Sequence, residues 1–219
     1  MIQHKDQRVG VFVDVQNLYY SARFLYGKHV NFGKVLDESV SGRRLIRAIA
    51  YVIKTQTGEE SPFFEALGKQ GFEVKMKELQ IFSGGQKKGD WDVGLAIDAI
   101  RMSSKLDVVV IVSGDGDYLP LVEYLQNHGV LVEVVAFGGS CSNKLREAND
   151  RFIDLSQDDH KFLINYKNRE GAQWMDQNFN EAQNRNESNN KEKHNMSNKS
   201  QQKKRRIVIP FLNDRGKKS

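Results

Sequence analysis

Two aspartates one residue apart, Asp115 and Asp117, follow five consecutive apolar residues in the stretch VVVIVSGDGDYLPL, residues 108–121. A third, Asp14, interrupts another apolar run in VGVFVDVQNLYY, residues 9–20. A fourth, Asp92, opens a helical pattern just after GGQKKGD. Carboxylates held close together repel, and each raises the pKa of its neighbours. A divalent cation relieves that repulsion. Mg²⁺ and Mn²⁺ prefer oxygen ligands, and Mg²⁺ keeps several waters beside one or two carboxylates. Two such ions about 4 Å apart can activate a water and stabilise a leaving oxygen.

Each acid also has a plainer role. Asp115 or Asp117 can cap the helix that follows, and Asp92 complements a helix dipole whatever its chemistry. Asp14 is harder to explain that way. A buried charge needs a partner, and residues 9–15 contain no basic side chain. Asp98 lies six positions beyond Asp92, so helical periodicity turns it away by about 120°; it is expected to support the site or the fold rather than hold an ion. Asn17 can orient Asp14 or a bound water, or cap a helix. Ser113 can bond a ligand or its own loop. Gly114 and Gly116 allow a tight turn and close approach of a substrate to the backbone. Lys87 and Lys88, with Arg43, Arg44 and Arg47 of GRRLIR, are either solvated or face a phosphate backbone. The five histidines have no metal-ligand spacing, and Cys141 reads as a small packed thiol.

Strands alternating with helices would position these acids. Residues 9–15 and 107–113 read as buried strands, 44–53 as containing another, 72–79 as a half-exposed one, and 130–137 and 151–155 as the last two. Helices are expected over 61–71, capped by Ser61 with Pro62 in the first turn, and over 91–104, 117–129 and 142–150. On the second of these, Val93, Ala96, Ala99 and Ile100 form one apolar stripe. The pattern predicts an α/β fold: three α/β/α layers around a mostly parallel central sheet with right-handed crossovers. Ligands in such folds bind beyond the carboxyl ends of the strands, where Asp14, Asp115 and Asp117 fall.

The chain has 219 residues and a net charge of +5. Residues 161–219 carry 14 Lys and Arg against 6 Asp and Glu, leaving residues 1–160 at −3. From about residue 165 Asn, Gln, Lys, Glu and Ser dominate, too few apolar residues to offset the entropy of ordering. A disordered basic tail is expected, ending in KKRRIVIPFLNDRGKK. It can attract a polyanion, dock a protein partner, or simply keep the chain soluble. No apolar run is long enough to span a bilayer, and no signal-peptide pattern opens the chain. One cysteine cannot form an internal disulfide, in keeping with a cytoplasmic location.

VFVDVQNLYY, KKGDWDVGLAIDAI, VVIVSGDGDYLPLVEYLQNHG, VEVVAFGGS and LREANDRFIDL, in that order, resemble the NYN domain in its LabA-like bacterial group. The resemblance covers about residues 8–156 and leaves 157–219 as tail. It implies the PIN-like nuclease fold, and an acidic pocket of Asp14, Asp92, Asp115 and Asp117 for Mg²⁺ or Mn²⁺. Asn17 matches the family's asparagine one turn after the first aspartate. KKGDWD departs from the pattern by placing two residues, Asp90 and Trp91, after the glycine, so Asp90 competes with Asp92; the frame of DVGLAIDAI favours Asp92. The implied function is a metal-dependent ribonuclease; an endoribonuclease acting on single-stranded RNA is expected, because a pocket for one phosphodiester reaches a flexible strand more easily. Its rivals are a non-catalytic RNA-binding or regulatory module and a small-molecule phosphatase. Against the last, position 16 is Gln, so Asp14 lacks the second aspartate that one type of aspartyl-phosphate enzyme uses.

Overall fold

The computed structural model describes residues 3–54, 61–78, 80–81, 87–88 and 90–165. Along the chain run β1 (Arg8–Asp14), α1 (Val15–Tyr26), β2 (His29–Val30), α2 (Phe32–Val40), β3 (Arg44–Lys54), α3 (Ser61–Lys69), β4 (Glu73–Glu78), β5 (Gln80–Ile81) and β6 (Lys87–Lys88). They are followed by α4 (Asp92–Ser103), β7 (Val108–Val112), α5 (Leu119–Asn127), β8 (Leu131–Ala136), α6 (Asn143–Ala148), β9 (Arg151–Asp154), α7 (Asp159–Phe162) and β10 (Leu163–Ile164). Short 3₁₀ turns precede α5, α6 and α7.

The long strands become strands because both their faces are covered. All five residues of β7 are buried, as are the middle residues of β1 and six consecutive residues of β3. Continuous Val and Ile runs of this kind mark a parallel sheet with a helix layer on each side. The sheet is six-stranded in the order β4-β3-β1-β7-β8-β9, and every pairing in it is parallel. Phe12, Ile49, Leu95, Ala99, Ile111, Leu121, Leu125 and Leu145 share one buried cluster, which joins α4, α5 and α6 to one face of the sheet. The predicted three-layer α/β fold with a central parallel sheet is therefore observed.

Numbered by appearance within this sheet, the strands lie in the order 3-2-1-4-5-6. The chain winds outward from β1 in one direction and from β7 in the other, and the switch falls between them. A doubly wound sheet opens its ligand crevice at that point, outside the carboxyl ends of the strands. Val13 pairs with Val112, so β1 and β7 leave the sheet at the same level.

Three features differ from the sequence reading. Helices α1 and α2 occupy residues 15–40, where no element was expected; Asp14 and Asn31 cap them by accepting from the amides of Asn17 and Lys34. On α4 the buried positions are Leu95 and Ala99, whereas Val93 is 70% exposed and Ile100 lies at the surface. The fold also runs past residue 157. Phe162 and Leu163 are buried, and β10 pairs with β2. Residues 166–219, with the predicted basic tail, lie outside the described residues.

Candidate metal centre

Asp14 is the last residue of β1, and its Oδ1 accepts the amide of Asn17 at 3.1 Å. The same Asn17 reaches across the switch point. Its Oδ1 accepts the Gly114 amide at 2.9 Å. One side chain thus clamps the exits of β1 and β7 together. The buried Ser113 accepts the amide of Asp115 through its Oγ at 3.2 Å. Asp115 in turn accepts the amide of Asp117 at 3.0 Å and caps the 3₁₀ turn Gly116–Tyr118. Ser113 therefore bonds its own loop, and Asp115 caps the turn while lying near enough to raise Asp14 and Asp92. Asp117 is exposed at the rim.

Asp92 arrives from another part of the chain. Trp91, just before α4, donates its indole N–H to the Val52 carbonyl at 2.8 Å, and its ring packs on Tyr51 at 5.2 Å. An added Cβ at Gly94 would lie 2.6 Å from that indole, so the WDVG spacing seats the tryptophan against its own helix. This anchoring aims the first turn of α4 at the pocket. The Tyr118 hydroxyl lies 3.1 Å from Asp92 Oδ1 and 3.3 Å from Asp14 Oδ2. Asp90 is exposed, and its backbone carbonyl accepts from the Lys77 ammonium at 3.0 Å. Asp92, not Asp90, therefore faces Asp14.

The electrostatics register the same gathering. Burial raises the Asp14 carboxyl to about 6, with Asp92 and Asp115 pushing the same way against the Asn17 and Tyr118 hydrogen bonds. Burial also raises Asp92, and Asp115, Asp90 and Asp117 add to the rise. Burial and the two carboxylates hold the Tyr118 phenol well above its ordinary value, so it keeps its proton. The donors are all oxygens, which suits Mg²⁺ or Mn²⁺. Among the described residues no three His, Cys, Asp or Glu side chains are close enough to form a ready-made cage. A cation that relies on one or two carboxylates, waters and substrate phosphate needs no such cage.

The two loop glycines serve packing. A Cβ at Gly114 would lie 2.9 Å from the Ser140 carbonyl, and one at Gly116 would lie 2.9 Å from Ser142 Oγ. Ser142 also donates its amide to the Gly114 carbonyl at 2.9 Å. The glycines let the 138–142 segment press against the aspartate turn, a reason different from the substrate access expected of them.

Other expected residues lie elsewhere. Asp98 accepts from the Tyr51 hydroxyl at 2.8 Å and from the Lys75 ammonium at 2.6 Å, which ties α4 to β3 and β4. These partners hold it below the ordinary carboxylate range despite the opposing effect of burial. Arg43, expected to contact phosphate, faces the core instead. Its side chain is 1% exposed, and both terminal nitrogens donate to Glu133 at 2.8 Å. That leaves no edge of the guanidinium for a phosphate. Arg44 is exposed but opens β3, at the opposite end of the parallel sheet from Asp14. Arg47 pairs with Glu73. Lys87 and Lys88 form β6 against β5, and their side chains lie outside the described residues. Cys141 is half-buried, and burial lifts its thiol to about 11. Sequence reasoning missed Tyr118 and the anchoring by Trp91. The one available signal was an aromatic residue directly beside each acidic motif.

The NYN domain family matches residues 8–156. The chain is 28% identical over 160 residues to the low amplitude and bright protein LabA of Synechococcus elongatus, covering 69% of this chain and 86% of LabA. It is also similar to a crystal structure of a protein of unknown function from Vibrio parahaemolyticus. That likeness has 32% identity and a TM-score of 0.67, and spans 75% of this chain and all of the other.

Proposed function

The chain belongs to the NYN domain family, and from that membership together with its acidic crevice we propose that it is a divalent-metal-dependent ribonuclease. The observation that carries the reading is the meeting of Asp14 and Asp92, 78 positions apart in sequence, on one phenol oxygen at the switch point of the sheet. Asp115 stands close enough to raise both their pKa values. Such repulsion is uneconomical for a fold unless a cation answers it.

A bound Mg²⁺ or Mn²⁺ would polarise the phosphodiester and acidify a water. Asp14 and Asp92, which meet on the Tyr118 hydroxyl, would hold it, with Asp115 and Asp117 beside them reaching it directly or through its waters. Asn17 keeps Asp14 and the Gly114 loop in register with each other. Asp117 meets solvent beside these acids. One phosphodiester of a flexible strand can reach acids gathered at the carboxyl end of the sheet more readily than one held in a duplex, so single-stranded RNA is the proposed substrate.

The test is cleavage of end-labelled single-stranded and duplex RNA by purified protein with Mn²⁺, compared with Asp14→Asn and Asp115→Asn. Cleavage of the single strand that both substitutions abolish supports the proposal. No cleavage by the wild type, or equal cleavage by wild type and variants, overturns it.

A further inference from the structure

We propose that Tyr118 is a positioning residue for the divalent cation, resting on the metal reading above: its hydroxyl sets the spacing of Asp14 and Asp92. Three observations converge. The tyrosine is 1% exposed, and its ring belongs to the buried cluster that includes Phe12 of β1, Leu95 of α4 and Ile111 of β7. These are the three elements that carry or lead into the acids. The hydroxyl lies 3.1 Å from Asp92 and 3.3 Å from Asp14. Finally, Tyr118 ends the 3₁₀ turn that Asp115 caps, so the oxygen is also fixed relative to Asp115 and Asp117.

A phenol carries one proton, so it donates fully to only one carboxylate at a time. The second must meet the oxygen's lone pairs or share the proton at longer range. The distances, both above 3.0 Å, match such sharing. The pair is held together but under-satisfied, and a cation beside both carboxylates completes what one proton cannot. The core thereby transmits its rigidity through a single oxygen to two ligands that no shared backbone segment connects. Outer partners of this kind typically change metal affinity by about 10–100-fold when removed.

The experiment is calorimetric titration of Mn²⁺ into wild type and Tyr118→Phe near neutral pH, with melting of both proteins in EDTA. Saturable binding by the wild type, about tenfold or more weaker in the variant while both melt cooperatively in EDTA, supports the inference. Equal or tighter binding by the variant overturns it and leaves the metal reading standing. No saturable binding by the wild type overturns both. Should Tyr118→Phe fail to fold, 3-fluorotyrosine placed at position 118 gives a second measurement. A ¹⁹F shift on adding Mg²⁺ supports the role, and an unmoved resonance overturns it.

Discussion

The Gly114 amide donates to Asn17 Oδ1 at 2.9 Å, so the first turn of α1 holds the loop that follows β7. Asn17 also donates its own amide to Asp14. The residue sits between the two strand exits that bracket the switch point, and removing its side chain strands the buried Gly114 N–H. Asn17→Ala should therefore destabilise the fold by about 1–3 kcal/mol and weaken Mn²⁺ binding in the same variant. Urea denaturation and calorimetry check the two effects. A variant as stable as wild type would show that the clamp is dispensable.

The pH dependence follows from Asp14, raised by burial to about 6. Its unfolded value is near 3.9, so the folded form binds more protons between the two. The stabilising contribution is whole below about pH 4 and is lost as pH rises through about 6. The rise from near 3.9 to about 6 corresponds to about 3 kcal/mol. Urea midpoints in EDTA should fall more steeply between pH 4 and 7 for the wild type than for Asp14→Asn. Identical slopes would mean that Asp14 is not the group responsible. Mn²⁺ at pH 7 should recover the loss in the wild type alone.

Gly116→Ala would push a Cβ to within 2.9 Å of Ser142 Oγ, a side-chain atom that can rotate. Gly114→Ala would meet the Ser140 carbonyl at the same distance, where backbone must move. The second substitution should thus cost more stability than the first, by at least about 1 kcal/mol, and should reduce RNA cleavage more. Thermal melts and cleavage rates rank the two variants; the opposite ranking would contradict the packing role of position 114.

Arg43 and Glu133 form a buried, bidentate pair. Arg43→Met leaves Glu133 in the core with only Arg151 at 3.6 Å. That should cost about 3–5 kcal/mol, while Arg43→Met with Glu133→Leu should recover most of it. Denaturant midpoints of the two variants decide. If the single substitution left stability intact and weakened RNA binding, Arg43 would be a nucleic-acid contact after all.

The apolar runs were legible because a parallel sheet buries both faces of its strands, so β1, β7 and β8 announce themselves without alternation. The acids were legible because Asp14 ends one such run and Asp115 and Asp117 follow another. Helices α1 and α2 were not, since their buried residues are interleaved with polar ones and their caps are the side chains of Asp14 and Asn31. One of those caps had been read for chemistry alone. Arg43 was misplaced because its partner Glu133 lies 90 positions away, inside a strand. An ion pair closed by tertiary structure leaves no local trace. Tyr118 was hidden for a different reason: it falls inside the expected helix 117–129, its ring is core, and its hydroxyl alone faces the acids.

If a divalent cation sits between Asp14 and Asp92, flanked by Asp115 and Asp117, calorimetric titration of Mn²⁺ into wild type, Asp14→Asn, Asp92→Asn and Asp98→Asn must reveal it. Asp98 is the control, because Tyr51 and Lys75 already satisfy it outside the crevice. Saturable binding is predicted for wild type and Asp98→Asn, with a loss of about tenfold or more in the other two. Binding that survives Asp14→Asn and Asp92→Asn unchanged would contradict that placement.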